Sequence, residues 1–126
     1  MKEREIAMLP DPQTFAETDC CFLTTTGRVS GRPHTIEIWF ALKGQSLYLL
    51  SGARDQADWV KNILRSPAVQ VTINETVFCG QARLVSESTE DGLARTLVFE
   101  KYRTRSSDDL TGWSRTALPV AVDLIA

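Results

Sequence analysis

Apolar and polar residues alternate in six stretches of the chain, a pattern typical of half-buried strands. The predicted strands cover residues 20–26, 34–42, 46–51, 69–73, 76–85 and 117–125. Apolar residues at helical spacing predict three short helices that begin at Asp11, near Ala57 and near Ser88. Residues 103–112 are polar and are expected to form a mobile connection. Hairpins without regular strand–helix alternation favour a mainly β (α+β) fold, a small closed or split antiparallel barrel.

The second predicted strand has two unlike faces, because side chains alternate across a strand. One face is apolar and predicts a core contact: Ile36, Ile38, Phe40 and Leu42. The other face carries Thr35, Glu37, Trp39 and Ala41. A tryptophan on such a face usually has something lying on it. A helix, a partner subunit and a flat ligand all remain open as the cover.

The turn before this strand concentrates positive charge. Arg28, Arg32 and His34, the only histidine, lie within seven positions. Gly27 and Gly31 can take the positive φ angles that a tight turn needs. Cationic side chains beside unpaired backbone N–H groups form an anion site, so a phosphate or a carboxylate is the predicted ligand.

A second potential anion site follows the third predicted strand. Ser51, Gly52, Ala53 and Arg54 lead into a helix N-terminus, where anions bind favourably. We expect Asp55 and Asp58 to cap this helix. If the second and third strands pair as a hairpin, His34 lies beside Ser51 and the two anion sites merge.

Size and charge restrict the classes of function. The 126 residues predict one domain over 1–126, of which the charged residues 1–10 are expected to be flexible. Apolar and charged fractions of 43% and 24% are ordinary for a soluble globular protein. The net charge of −2 argues against nucleic-acid binding, which needs a basic excess.

The cysteines and the lone histidine predict no metal site. Cys20, Cys21 and Cys79 do not have metal-type spacing. A nucleophilic Cys–His pair remains open, although buried structural cysteines are commoner. No apolar run approaches the ~20 residues of a membrane span, and the N-terminus lacks the apolar centre of a signal peptide. A cytoplasmic location is expected.

Three segments, in the same order along about residues 15–125, resemble the deazaflavin-dependent nitroreductase family. The first is Thr24-Thr25-Thr26-Gly27-Arg28-x-Ser30-Gly31-Arg32-Pro33-His34-Thr35. The second is Trp59-x-x-Asn62 followed by Pro67, and the third is Thr116-Ala117-Leu118-Pro119-Val120-Ala121-Val122. This family belongs to the split-barrel flavin-binding superfamily of pyridoxamine 5'-phosphate oxidase-like proteins.

The resemblance implies a six-stranded antiparallel split β-barrel, usually a homodimer, that binds a deazaflavin or FMN. Coenzyme F420, a deazaflavin, is favoured, and FMN is the alternative. The cofactor phosphate would be held by Arg28, His34, Ser51, Gly52, Ala53 and Arg54. Its ring would lie along Thr35, Ile36, Glu37, Ile38 and Trp39. The pocket would be closed from the helix by Trp59 and Asn62, which without the resemblance would suggest helix core and a local cap.

The implied activity is hydride transfer from the reduced cofactor to a nitro compound, a quinone or an activated alkene. Such chemistry belongs to the cofactor, so no catalytic side chain is assigned. Glu37, Tyr102 and Trp113 either touch the substrate or are structural, and Arg32 either binds ligand or is solvated. The alternatives are a non-catalytic carrier or sensor of flavin or haem, and an FMN-dependent oxidase.

Overall fold

The computed structural model describes residues 11–125, in which seven antiparallel strands form one curled sheet. The strands are β1 (Cys21–Thr26), β2 (Pro33–Ile38), β3 (Ala41–Lys43), β4 (Ser46–Ser51), β5 (Ala68–Ile73), β6 (Thr76–Leu84) and β7 (Leu118–Ile125). Their order in the sheet is β2-β1-β5-β6-β7-β4-β3. The mainly β, half-barrel class is confirmed, with seven strands instead of six. The expectation for residues 1–10 lies outside the described residues.

The extra strand arises because the predicted strand 34–42 is broken at Trp39 and Phe40. The Phe40 N–H donates to the Tyr102 hydroxyl (3.0 Å), and the Phe40 carbonyl accepts from Lys101 Nζ (2.9 Å). Side chains of a helix therefore satisfy this backbone in place of a neighbouring strand. Before the break, β2 pairs with β1, and after it, β3 pairs with β4. The two pairs lie at opposite edges of the sheet.

The predicted hairpin is consequently formed only between β3 and β4. His34 pairs with Thr25 on β1, whereas Ser51 pairs with Leu118 on β7. The hairpin pairing that would place His34 beside Ser51 is not formed, so that prediction is wrong.

Three helices cover the sheet: α1 (Asp58–Arg65), α2 (Ser88–Tyr102) and α3 (Thr111–Thr116). Short 3-10 helices occupy Pro12–Phe15 and Arg54–Gln56. α3 begins inside the segment that the sequence predicted as a loop. Neither Asp55 nor Asp58 caps α1, whose N-cap position is Ala57, so the predicted cap is wrong. None of the helices in residues 11–125 has the length and hydropathy needed to cross a membrane.

The two faces of the broken strand pack into different cores, as its alternation predicted. Phe40 and Leu42 belong to the cluster that contains Val60 and Ile63 of α1. Trp39 packs with the second cluster, under α2 and α3. Its ring stacks on Tyr102 at 4.3 Å between centroids and meets Trp113 edge-on at 5.8 Å. Helices are therefore the cover over Trp39, while Thr35 and Glu37 stay exposed.

Candidate cofactor site

The turn between β1 and β2 and the helix α1 enclose a cavity of about 510 Å³, which we call the turn cavity. Its walls include the predicted site residues Arg28, His34, Thr35, Ile36, Trp59 and Asn62. The basic turn and the Trp-x-x-Asn motif, about 30 residues apart in sequence, thus form one site.

Hydrogen bonds within its own backbone fix the conformation of the turn. The Gly27 N–H donates to the Arg32 carbonyl (2.8 Å), and the Gly31 N–H donates to the Gly27 carbonyl (2.9 Å). Gly31 has φ +73°, which favours glycine. A Cβ on Gly27 would lie 2.6 Å from His34 Nε2, so the imidazole packs directly on this glycine. Within residues 11–125, no protein acceptor is found for the N–H groups of Val29 and Ser30.

Asn62 joins the turn to α1. Its Oδ1 accepts from the Arg28 backbone N–H (3.1 Å) and from the Arg28 guanidinium (2.9 Å). Its Nδ2 donates to the Thr25 hydroxyl (3.1 Å), and both residues are buried. Asn62 therefore acts as a bridge between the helix and the turn, not as a local cap.

The Arg28 guanidinium also bonds Asp58, which sequence reasoning missed. Arg28 Nη2 and Asp58 Oδ1 are 3.0 Å apart, and 86% of the Asp58 side chain is exposed. An exposed ion pair contributes little to stability. An incoming anion can therefore replace Asp58 on the guanidinium at small cost. The signal in the sequence is the place of Asp58, a carboxylate directly before Trp59 in the helix that was predicted to close the pocket.

Glu37 and Ile38, at the end of β2, line a second cavity of about 460 Å³, which we call the α3 cavity. Its walls are Asp19, Cys20, Glu37, Ile38, Trp39, Leu50 and Trp113. The Cys20 thiol donates to Glu37 Oε2 (2.9 Å). This bond, together with burial, raises the pKa of Cys20 to about 11, so the thiol keeps its proton at neutral pH.

Tyr102 is not placed as a ligand contact. It is almost fully buried, and its hydroxyl bonds the backbone of Phe40 and the Asp19 carbonyl. Burial raises its pKa above the ordinary range. The structural interpretation of Tyr102 therefore fits its surroundings, whereas Glu37 and Trp113 are cavity walls.

The loop after β4 makes different contacts. The Ser51 hydroxyl donates to the Arg54 carbonyl (2.9 Å), and the Arg54 guanidinium donates to the Thr116 carbonyl at the end of α3. A Cβ on Gly52 would lie 3.3 Å from Trp113 Nε1. The turn cavity, as far as the described residues form it, is not lined by the loop residues Ser51, Gly52, Ala53 and Arg54. The loop therefore lies outside the walls of the turn cavity.

Comparison with known proteins identifies the family. The sequence model of the F420H2-dependent quinone reductases matches residues 7–124. The chain belongs to this family. It is a deazaflavin-dependent reductase with coenzyme F420 as its cofactor, which confirms the resemblance drawn from the three sequence segments.

Solved structures show the same fold at low identity. A conserved hypothetical protein from Mycobacterium tuberculosis, Rv2991, has a TM-score of 0.69 and 21% identity over 100% of this chain and 85% of its own. An F420-H2 dependent reductase, FDR-A, has a TM-score of 0.64 and 18% identity over 83% and 94%. HutZ, the heme storage protein from Vibrio cholerae, has a TM-score of 0.66 and 17% identity over 90% and 87%.

The residues of the turn cavity fit the phosphate of the cofactor. The guanidinium of Arg28, the imidazole of His34 and the N–H groups of Val29 and Ser30 are all donors around one turn. A phosphate accepts such charge-assisted bonds well. The indole of Trp59 supplies an aromatic wall beside them.

Proposed function

We propose that the protein transfers a hydride from reduced F420 to a small electrophilic acceptor: a quinone, a nitro compound or an activated alkene. The observation that carries the proposal is the turn cavity, where cationic and backbone donors meet at the start of the edge strand β2. The F420H2-dependent quinone reductase family supports a quinone as the first acceptor to test. A quinone would take up the hydride and one proton from water to become a hydroquinone, while the deazaflavin is oxidised.

In this proposal the chain binds and orients the cofactor. Arg28, His34 and the turn N–H groups hold the phosphate, and the backbone of β2 from Thr35 onwards lies along the ring. Trp59 and Asn62 close the cavity from α1. Ser51, Gly52, Ala53 and Arg54 would add further contacts to the phosphate, and Arg54 would first have to release the Thr116 carbonyl.

Cofactor titration followed by turnover tests the function. We expect F420 to bind more tightly than FMN, and F420H2 oxidation, followed by absorbance, to accelerate when a quinone or a nitroarene is added. Tight binding of F420 without oxidation by any of the three acceptor classes would favour a carrier. Preferential binding and reduction of FMN would favour the alternative cofactor.

We also propose that the protein is a homodimer formed through the outer face of β1, β5 and β6. One row of paired residues crosses this face: Thr35, Thr24, Gln70, Cys79 and Ile125. All five are uncharged and at least partly exposed. Phe22, Val77 and Ile125, each with about half of its surface exposed (46–50%), lie on the same face. A solvated sheet face would carry more charge, so this surface suits a second copy.

A single domain and a cytoplasmic location complete the proposal. One sheet spans nearly all the described residues, which supports one domain. Cys20, Cys21 and Cys79 are free, as expected of a reducing compartment.

A further inference from the structure

The edge strand β2 connects two cavities with different chemistry. His34, Thr35 and Ile36 line the turn cavity, and the next three residues, 37–39, line the α3 cavity. A cofactor anchored at the turn and lying along β2 points towards the α3 cavity. This second cavity is therefore placed where an acceptor would meet the reactive end of the cofactor.

The α3 cavity has aromatic walls that suit a flat ring. Trp39 and Trp113 both line it, with their rings at 89° to each other, and Leu50 and Ile38 add apolar surface. Indole faces bind flat rings through burial and through ring–ring electrostatics. An electron-poor aromatic ring would complement Trp113, or the face of Trp39 that Tyr102 does not cover.

The charge of this cavity is opposite to that of the turn cavity. Its titratable walls are Asp19, Cys20 and Glu37, and within residues 11–125 no cationic side chain lines it. Asp19 pairs with Arg105 at 2.7 Å, and Arg105 also pairs with Glu17 at 2.6 Å. Glu37 accepts a hydrogen bond from the Cys20 thiol, and no cation lies within ion-pair distance of Glu37 in the part of the chain that the structure describes. Among the described residues, Glu37 is thus the carboxylate of this cavity wall that has no cationic partner.

We propose that the α3 cavity binds the hydride acceptor and that Glu37 makes it select uncharged, electron-poor aromatic acceptors over anionic ones. The inference rests on the proposed reductase function, because an acceptor site needs a bound hydride donor nearby. Beyond that function, the α3 cavity is the acceptor site and Glu37 is the residue that excludes anions.

Two probes of equal shape and different charge test the selection: neutral 4-nitrobenzamide and anionic 4-nitrobenzoate. Nitroaromatic rings quench indole fluorescence on contact, so binding is followed by tryptophan emission in cofactor-free protein. The measurement uses a Trp59→Phe background, which removes the indole of the turn cavity. The remaining signal comes from Trp39 and Trp113, both of which line the α3 cavity.

We expect the amide to bind about three- to fivefold more tightly than the benzoate, the ratio expected from one partly exposed charge. Glu37→Gln should bring this ratio close to one. Glu100→Gln, which removes an exposed carboxylate on α2 outside the cavity walls, should leave the ratio unchanged. Cys20→Ser retains both a hydrogen-bond donor and the Glu37 charge, so it should also keep the preference.

Equal binding of the two probes, a ratio unaffected by Glu37→Gln, or a ratio abolished equally by Cys20→Ser would overturn the inference. Circular dichroism establishes that each variant is folded. Because the probes are measured without cofactor, a failure here is distinct from a failure of the reductase function, which the F420 titration tests separately.

Discussion

At the residue scale, a buried amide determines the geometry of the candidate site. Asn62 bonds Arg28 twice and Thr25 once, and these partners are 34 and 37 residues away in sequence. The cations of the turn could be predicted from the sequence because they cluster locally. The bridging role of Asn62 could not, because nothing in a local pattern reveals which distant backbone group an amide will meet.

The double variant Arg28→Ala, His34→Ala should weaken F420 binding by about 2–4 kcal/mol, the size expected for two charge-assisted hydrogen bonds. The fold should persist, because the Arg28 backbone N–H still donates to Asn62. Fluorescence titration of F420 measures the dissociation constant.

Arg103→Ala is the matched control for this variant, since Arg103 is exposed and, among the described residues, pairs with Glu100 alone. Its F420 affinity should equal that of the unmodified protein. An unchanged dissociation constant in the double variant would show that the phosphate is held elsewhere.

Lys101 gives a pH-dependent prediction at the same scale. Burial, helped by the nearby Arg105 charge, lowers the pKa of Lys101 to about 8. An unfolded lysine has a pKa of about 10.4. Between these values the unfolded chain binds more protons than the native one, so the contribution of Lys101 to stability rises with pH and is lost as pH falls towards 8. Above about pH 9 the raised pKa values of Cys20 and Cys21 oppose this trend.

A comparison with Lys101→Met isolates the lysine. The unfolding free energy of the unmodified protein minus that of the variant should rise by about 1–3 kcal/mol from pH 8 to pH 10.4. Urea denaturation at each pH supplies both values. A difference that is flat or falls over this window would show that the native lysine titrates normally.

At the scale of elements, most strands and two helices follow from local patterns, and the exceptions have tertiary causes. α3 contains one glycine and one large apolar residue, so it has no helical periodicity. It is stabilised from outside: the Arg95 guanidinium donates to the carbonyls of Ser114, Arg115 and Ala117. The break at Phe40 is likewise made by Tyr102 and Lys101, which lie about 60 residues further along.

Gly80 on β6 is the glycine to which the neighbouring strand comes closest in the sheet interior. A Cβ there would lie 2.5 Å from Val122 Cγ1 and 3.1 Å from the Asp123 carbonyl oxygen of the neighbouring strand β7. Gly80→Ala should therefore destabilise the protein by about 1–3 kcal/mol through overpacking. Thermal or urea unfolding measures the change.

Gly92 on α2 is the control glycine, because a Cβ there meets nothing within 4 Å. Gly92→Ala should stabilise the protein by about 0.5–1 kcal/mol, since alanine is the better helix former. Equal effects of the two substitutions would contradict the packing at Gly80.

At the scale of the whole molecule, the fold class and the basic turn could be predicted from the sequence. Which distant segments contact the turn could be predicted only in part. The turn does meet the helix α1, through Arg28 and Asn62. The loop at Ser51 and Arg54 does not line the turn cavity, and the broken strand places β2 and β3 at opposite edges of the sheet. Register across a long strand cannot be read from alternation when helix side chains interrupt it.

The same sheet order leaves the uncharged face that we propose as the dimer interface, with Gln70 near its centre between Thr24 and Cys79. Gln70→Arg would place two like charges in a self-complementary interface, where burying unpaired charge is costly. We expect light scattering at micromolar concentration to give a dimer for the unmodified protein and a monomer for this variant. Thr96→Arg, which adds the same charge at another exposed position, on α2, should remain dimeric. A monomer before any substitution would refute the dimer, and a dimer that tolerates Gln70→Arg would move the interface to another face.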